Sequence, residues 1–415
     1  MNKLELLMKI ENPKLLEKLY RENKAAFKTA FNLLYPELTD NKLADYWKER
    51  LNYESSEISW GSRKELTFVI IAAFTAGAIA KLQVLLNIDM DFFYQRNIAF
   101  IVFPLLTIYF FWKKHSSKKK ITFTAIAFLI ASIFINLLPA NNKSDTLLLA
   151  CIHLPIFLWA VLGFSFVDEK ASGNYKRLDF LRYNGDLVIM TTLLMIAGGI
   201  LTGITLGLFS VIGFSIERFY FDYVAIFGLA ALPIVGTYIT QTNPQLVNKV
   251  SPVIAKIFSP LVLIMLVVYL VAIAFSGKDP YSDREFLMAF NALLAGVMAI
   301  ILFSIAESSK KSENQAGNFI LLALSIVTII VNGIALSAIL FRISTWGITP
   351  NRLAVLGANI LMLINLCLVT FRLFKHVSKK TSIGEVENSI SRFLPIYVIW
   401  TIIVTFIFPL IFHFK

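Results

Sequence analysis

Charge is scarce in this chain. Of its 415 residues, 16% are Asp, Glu, Lys or Arg, against about 25% in a typical soluble domain. With 57% hydrophobic residues and a mean hydropathy of +0.69, that shortage excludes an ordinary soluble fold of two or three domains. Cysteine is scarcer still. Cys151 and Cys367 are the only two, both inside apolar runs, which excludes a disulfide framework or a cysteine-spaced metal site. Carboxylates are missing from the middles of the apolar runs, where proton-coupled carriers usually keep one. The motifs of phosphate-cradling loops, HExxH metalloproteases and GxSxG hydrolases are absent too. No catalytic residue, metal or cofactor is expected.

What is abundant is apolar sequence in lengths near the ~20 residues that cross a hydrocarbon core. Eleven such runs fall at residues 66–88, 98–112, 121–139, 146–166, 187–214, 223–240, 257–275, 286–305, 319–343, 353–373 and 393–412. The second is short, but Phe92, Phe93 and Tyr94 can extend it. The pattern predicts an all-α fold. Residues 66–415 form a polytopic transmembrane helix bundle of about 11 spans, behind a cytosolic amphipathic helical segment, residues 1–65.

In that segment Asn12-Pro13 reads as a helix start. Leu15, Leu16 and Leu19, then Phe27, Phe31 and Leu34, keep helical spacing on one face. Pro36 stops the helix, and Thr39-Asp40 can cap another that bears Leu43, Trp47 and Leu51. The core is small. The segment is expected to pack on the membrane domain, a neighbouring subunit or a protein partner reached through residues 1–60. Lys3, Glu5 and Lys9 argue against a signal peptide at the start.

The net charge of +12 suggests nucleic acid until its placement is considered. Residues 1–65 contribute a net +1 and the rest +11, so the excess sits between apolar runs. There it orients helices and meets lipid headgroups, and no nucleic-acid partner is expected. Connections on the N-terminal side of the membrane hold twenty Lys and Arg, including Lys113–Lys120, and the opposite set holds eight. The imbalance predicts a cytoplasmic N-terminus and an extracytoplasmic C-terminus in a multi-pass membrane protein. Two basic-side connections, 243–256 and 382–392, have amphipathic spacing and read as interfacial helices or as loops packed on the bundle.

Several residues inside the runs are candidates for more than packing. Gly199, Gly203 and Gly207, with Gly198 adjacent, suggest close helix packing or a hinge. Lys81 can snorkel to the nearer interface, and Glu307 closes the eighth run where water can reach it. His153, two residues before Pro155, reads as a structurally satisfied imidazole or as a proton or ligand site. Asn332, Asn359 and Asn365 lie within the ninth and tenth runs. Buried amides need partners in lipid, so they act as polar glue between helices or line a polar cavity. Arg342 and Arg352 flank the outer turn between these runs. With Asp279, Asp283, Arg284 and Glu285 they suggest an outer ion-pair cluster or a site for an anionic ligand. The ligand-binding candidates are thus Asn332, Asn359, Asn365, His153, Arg342 and Arg352.

The turn Trp346-Gly-Ile-Thr-Pro-Asn-Arg352 before an apolar span resembles a bacterial membrane-protein family catalogued as domain of unknown function 4153. The upstream loop Lys278-Asp-Pro-Tyr-Ser-Asp-Arg284 is similar in placement. The resemblance implies a bacterial inner-membrane protein and brings no activity, cofactor or catalytic assignment. The leading functional expectation is a transporter-like bundle that binds a small solute or lipid. A signalling, regulatory or assembly subunit is the alternative, and a membrane enzyme comes third.

Overall fold

A computed structural model describes the chain apart from residues 1–5, 8–9, 11, 23, 39–40, 53–58, 142, 168–174, 212–214, 249, 276–280, 282–283, 309–314 and 415; at some further helical positions it describes only the backbone. Every regular element among the described residues is helical. The chain divides into two compact units, Met1–Ser59 and Trp60–Lys415.

The first unit holds α1 (Pro13–Glu22), α2 (Lys24–Leu34), a 3-10 turn at Tyr35–Glu37 and α3 (Lys42–Asn52). Asn12 Oδ1 accepts from the Lys14 and Leu15 amides at 3.1 and 3.2 Å, which satisfies N–H groups that an α-helix leaves open. Pro36 sits in the 3-10 turn that ends α2. The expected cap of the next helix, Thr39-Asp40, lies outside the described residues. Asn41 caps that helix, accepting from the Leu43 and Ala44 amides. Leu16, Phe27, Phe31, Leu34, Trp47 and Leu51 form a core of the unit's own, with Phe27 against Trp47 at 5.0 Å between ring centroids.

Among the described residues, the second unit contains eleven long helices: α4 (Arg63–Leu85), α5 (Met90–Lys114), α6 (Lys118–Leu137), α7 (Asp145–Phe166), α8 (Tyr175–Val211), α9 (Glu217–Thr242), α10 (Val250–Phe275), α11 (Arg284–Ser308), α12 (Gln315–Trp346), α13 (Pro350–Val377) and α14 (Ile383–Ile411). Ten of them are long and apolar enough to cross a membrane. The run expected at 257–275 falls in α10, whose described apolar stretch, Ala255–Val268, is shorter. The run at 98–112 is extended as its flanking aromatics allow. It belongs to a 25-residue helix that starts at Met90, where Asp89 accepts from the Phe92 amide.

Side-chain caps also start four other helices: Ser62, Ser117, Ser144 and Thr349 each accept from the amide three residues on. Residues 382–392 are no separate surface helix. Ser382 precedes α14 directly, and Val386 and Ile390 are fully buried in the bundle core, so the apolar stripe faces neighbouring helices. Pro244 does open a short helix, Pro244–Asn248, ahead of α10. Two π-helical turns, Tyr220–Ala225 and Ile403–Ile407, interrupt α9 and α14.

Two apolar cores meet at α8. Leu178 joins the core built on α10–α14, while Phe180 and Tyr183, close by on the same helix, join the one built on α4, α5, α7 and α9. The far half of α8 is sparsely packed: Ile196, Ile200, Leu201 and Ile204 are exposed. A Cβ added to Gly198, Gly199, Gly203 or Gly207 would meet nothing within 4 Å. The close helix contact expected of this glycine stripe is therefore not made among the described residues.

Candidate functional site

Helices α12 and α13 pack as an antiparallel pair about the turn at 347–349. Gly347 takes a positive φ of 78° there, a conformation glycine adopts without steric cost. Thr349 then caps α13, with Pro350 in the first turn. Along α12, Asn318, Ser325 and Asn332 recur every seven residues, and all three are buried. A seven-residue repeat keeps one face against a partner helix, so this polar series runs along the α12 seam.

At the basic end of the seam, the Asn318 amide donates to His376 Nε2 at 3.2 Å, and His376 Nδ1 donates to the Thr381 carbonyl at 3.0 Å. Ser325 and Thr328 satisfy themselves on their own helix, donating to Leu322 and Leu324 carbonyls. Nearer the opposite end, Asn359 donates to Asn291 Oδ1 on α11 at 2.8 Å, and Asn291 donates to the Leu287 carbonyl. Asn365 donates to the Tyr397 hydroxyl on α14 at 3.1 Å.

Asn332 differs from all of these. It has no exposed surface, and neither its Oδ1 nor its Nδ2 has a hydrogen-bond partner among the described residues. Asn359 Oδ1, Asn365 Oδ1 and Trp400 Nε1 are likewise buried without a partner. A buried polar group left unsatisfied costs about 1–3 kcal/mol, and no water relieves it within lipid. Asn332 lies fourteen residues before Trp346 and Asn365 fifteen after Pro350. At 1.5 Å per residue that places both roughly 21–22 Å along their helices from the shared turn, at the same depth in the bundle.

The other sequence candidates are placed elsewhere. His153 Nδ1 bonds the Leu149 carbonyl, four residues back on α7, at 2.9 Å. Arg342 Nε donates to the Tyr281 carbonyl at 2.9 Å, with its guanidinium over the Trp346 ring. Arg352 donates to the carbonyls of Trp346 and Gly347 at 2.8 and 2.7 Å, closing the end of α12. Asp279 and Asp283 lie outside the described residues, as do the side chains of Arg284 and Glu285. Lys81 Nζ sits 4.8 Å from the Tyr223 ring centroid.

Two clusters went unsuspected in the sequence. Arg182 on α8 bridges Glu387 of α14, Asp179 and the Ala306 carbonyl of α11. Glu307, expected at water's reach, is 2% exposed. The second cluster joins α4 to α5: the Glu65 carboxylate accepts from the Tyr109 hydroxyl at 2.6 Å and from Lys113 at 3.0 Å. The sequence signal for Glu65 was available, because Ser62-Arg-Lys-Glu65 has capping-box spacing. For Arg182 and Glu387, 205 positions apart, no local pattern exists.

No group of three or more His, Cys, Asp or Glu capable of holding a metal occurs among the described residues. The chain matches no protein-family model, no curated protein and no solved structure.

Proposed function

We propose that this chain is a transporter-like protein that binds a small solute inside the bundle of α11–α14. The observation that supports the reading is the Asn332 amide, buried at mid-helix with both hydrogen-bonding atoms open. Apolar neighbours such as Val331 and Ala335 fill that core. A leucine would fill it too, without leaving polar atoms unsatisfied.

The twenty-to-eight division of Lys and Arg supports an N-terminus on the cytoplasmic side, and the likeness of the Trp346–Arg352 turn to a bacterial membrane family supports an inner-membrane location. The membrane helices imply contact with lipid.

The test is a solute panel on the purified full chain in lipid nanodiscs, read as a shift in melting temperature, with Asn332→Leu beside the native chain. A bound solute stabilises in proportion to its occupancy. The expected result is a solute that raises the native melting temperature and leaves the variant unmoved. A panel in which every shift is shared by the variant removes the reading.

A second reading, that residues 1–60 bind a protein partner in a regulatory or assembly role, is favoured by the first unit's own core. That core leaves Leu33 and Tyr46 exposed at 68% and 72%. Deleting residues 1–59 should then abolish co-purification of the partner while membrane insertion persists.

A further inference from the structure

The chemistry around Asn332 narrows what such a solute can be, and this step rests on the solute-binding reading above. The polar groups described toward the middle of α12–α14 are neutral: the amides of Asn332 and Asn365, the Tyr397 hydroxyl, and the hydroxyls of Ser325 and Thr328. The charged groups described on α11–α14 that could counter an ion sit toward the ends. Glu387 is engaged by Arg182, and Arg342 and Arg352 are engaged by backbone carbonyls. An ion brought to Asn332 would lose its hydration without gaining a counter-charge, at an effective cost of several kcal/mol. The site therefore selects against ions.

The open atoms also have a definite polarity. Asn332 offers an acceptor oxygen, Oδ1, and the two N–H groups of Nδ2 on a single planar group. At the same depth Asn365 adds a further open acceptor, Oδ1. One N–H of its Nδ2 is committed to Tyr397. The best complement to such a set is a planar neutral group that both accepts and donates.

The protein contains that complement elsewhere. Asn97 on α5 and Asn136 on α6 form a reciprocal pair, each amide donating to the other's oxygen at 3.0 and 2.9 Å. Two facing carboxamides satisfy one another fully along that edge. Asn332 is half of the same arrangement, buried within the helices and lacking its second half among the described residues.

We propose that Asn332 recognises an uncharged solute bearing a primary carboxamide or urea group. The pairing is the reciprocal one seen between Asn97 and Asn136. Binding is non-covalent and needs no cofactor.

Three near-isosteric probes test this: acetamide, acetate and N,N-dimethylacetamide, titrated against the full chain in nanodiscs and read by ligand-observed NMR. Acetamide has both donor and acceptor, acetate replaces the donor with charge, and the dimethyl compound keeps only the acceptor. The expected result is saturable acetamide binding, at least about tenfold weaker for the other two probes, and weakened at least about tenfold in Asn332→Leu. Comparison of the three probes on the native chain needs no variant, so a poorly folding Asn332→Leu does not blunt the test. Equal or tighter binding of acetate or the dimethyl compound overturns the amide preference; if that binding still depends on Asn332, solute binding at this site survives. Acetamide binding unaffected by Asn332→Leu, or ordered water as the sole occupant at millimolar acetamide, overturns the proposal. Failure of all three probes overturns it as well, while the wider solute panel decides the reading on which it rests.

Discussion

Arg182 donates from Nη2 to Glu387 Oε1 across 2.7 Å, tying α8 to α14 through a carboxylate that is only 4% exposed. The same guanidinium donates through Nε to the Ala306 carbonyl at 2.7 Å, so one side chain fastens three helices. Removing Arg182 strands the buried Glu387 charge, at about 3–5 kcal/mol, whereas removing Glu387 leaves Arg182 its Asp179 partner and replacing both with apolar groups can be neutral. Arg182→Ala should therefore lower stability by about that amount in a denaturant titration, and Glu387→Ala by less. Arg182→Met with Glu387→Leu should recover most of the loss. A double variant as unstable as the worse single one would mean that the pair fixes the helix arrangement beyond its own electrostatics.

Arg96 on α5 does related work for α6. Buried to 3% exposure, it donates to the carbonyls of Ile135, Leu138 and Pro139 at the end of α6. An α-helix leaves its last carbonyls open, and the planar guanidinium can serve several at once where an ammonium cannot. Arg96→Ala should cost about 3 kcal/mol, and Arg96→Lys should recover only part of it. Hydrogen exchange along α6 would rise most toward Leu137. Equal protection in native and lysine forms would count against the fork geometry.

The helical fold was legible because lipid leaves the backbone few choices. An apolar run near 20 residues must satisfy its own hydrogen bonds, so length and composition suffice to locate α4–α9 and α11–α14. Asn332, Asn359 and Asn365 were legible as buried amides for the same reason. Which of them would be left unpaired was not, because that depends on Asn291 and Tyr397 arriving from other helices. The basic run Lys113–Lys120 was read as an orienting charge alone, yet Lys114 and Lys120 also donate to the Phe166 and Val167 carbonyls at the end of α7. The glycine stripe of α8 failed as a packing signal because small residues permit a close approach without supplying the neighbour.

Glu17 gives the first unit a pH dependence. Its hydrogen bond from Arg21 at 2.8 Å, with Arg50 Nη2 also 2.8 Å from the carboxylate, holds its pKa below the usual carboxylate value of 4.5. A depressed folded-state pKa contributes stability that is complete above the unfolded-state value and is lost as pH falls through the folded one. Between neutrality and pH ~5 the linkage should thus be flat, and below it the contact between α1 and α3 should loosen. Hydrogen exchange of Lys42–Asn52, corrected for intrinsic rates, should rise in the acid limb for the native chain. Glu17→Gln should remove that acid-limb change. Because the pair is partly exposed the effect is small, and added salt should reduce it further.

Two glycines should respond in opposite ways to the same methyl group. A Cβ on Gly357 of α13 would sit 2.0 Å from Trp400 Cζ2 of α14, with two more indole atoms within 2.7 Å. Trp400 is rigid and its ring packs edge-on against Phe408 at 5.9 Å, so the helices rather than a flexible tip must give. Overpacking of this kind costs about 1–3 kcal/mol. Gly357→Ala should lose that much, and adding Trp400→Phe, which shortens the ring and removes the unpartnered Nε1, should restore part of it. Gly203 of α8 meets nothing within 4 Å, so Gly203→Ala should be neutral or stabilising by up to about 1 kcal/mol through helix propensity. Melting of the three variants beside the native chain decides both cases. A loss of stability in Gly203→Ala would show that the exposed face of α8 is in contact with something, because an alanine on an open helix face has nothing else to clash with.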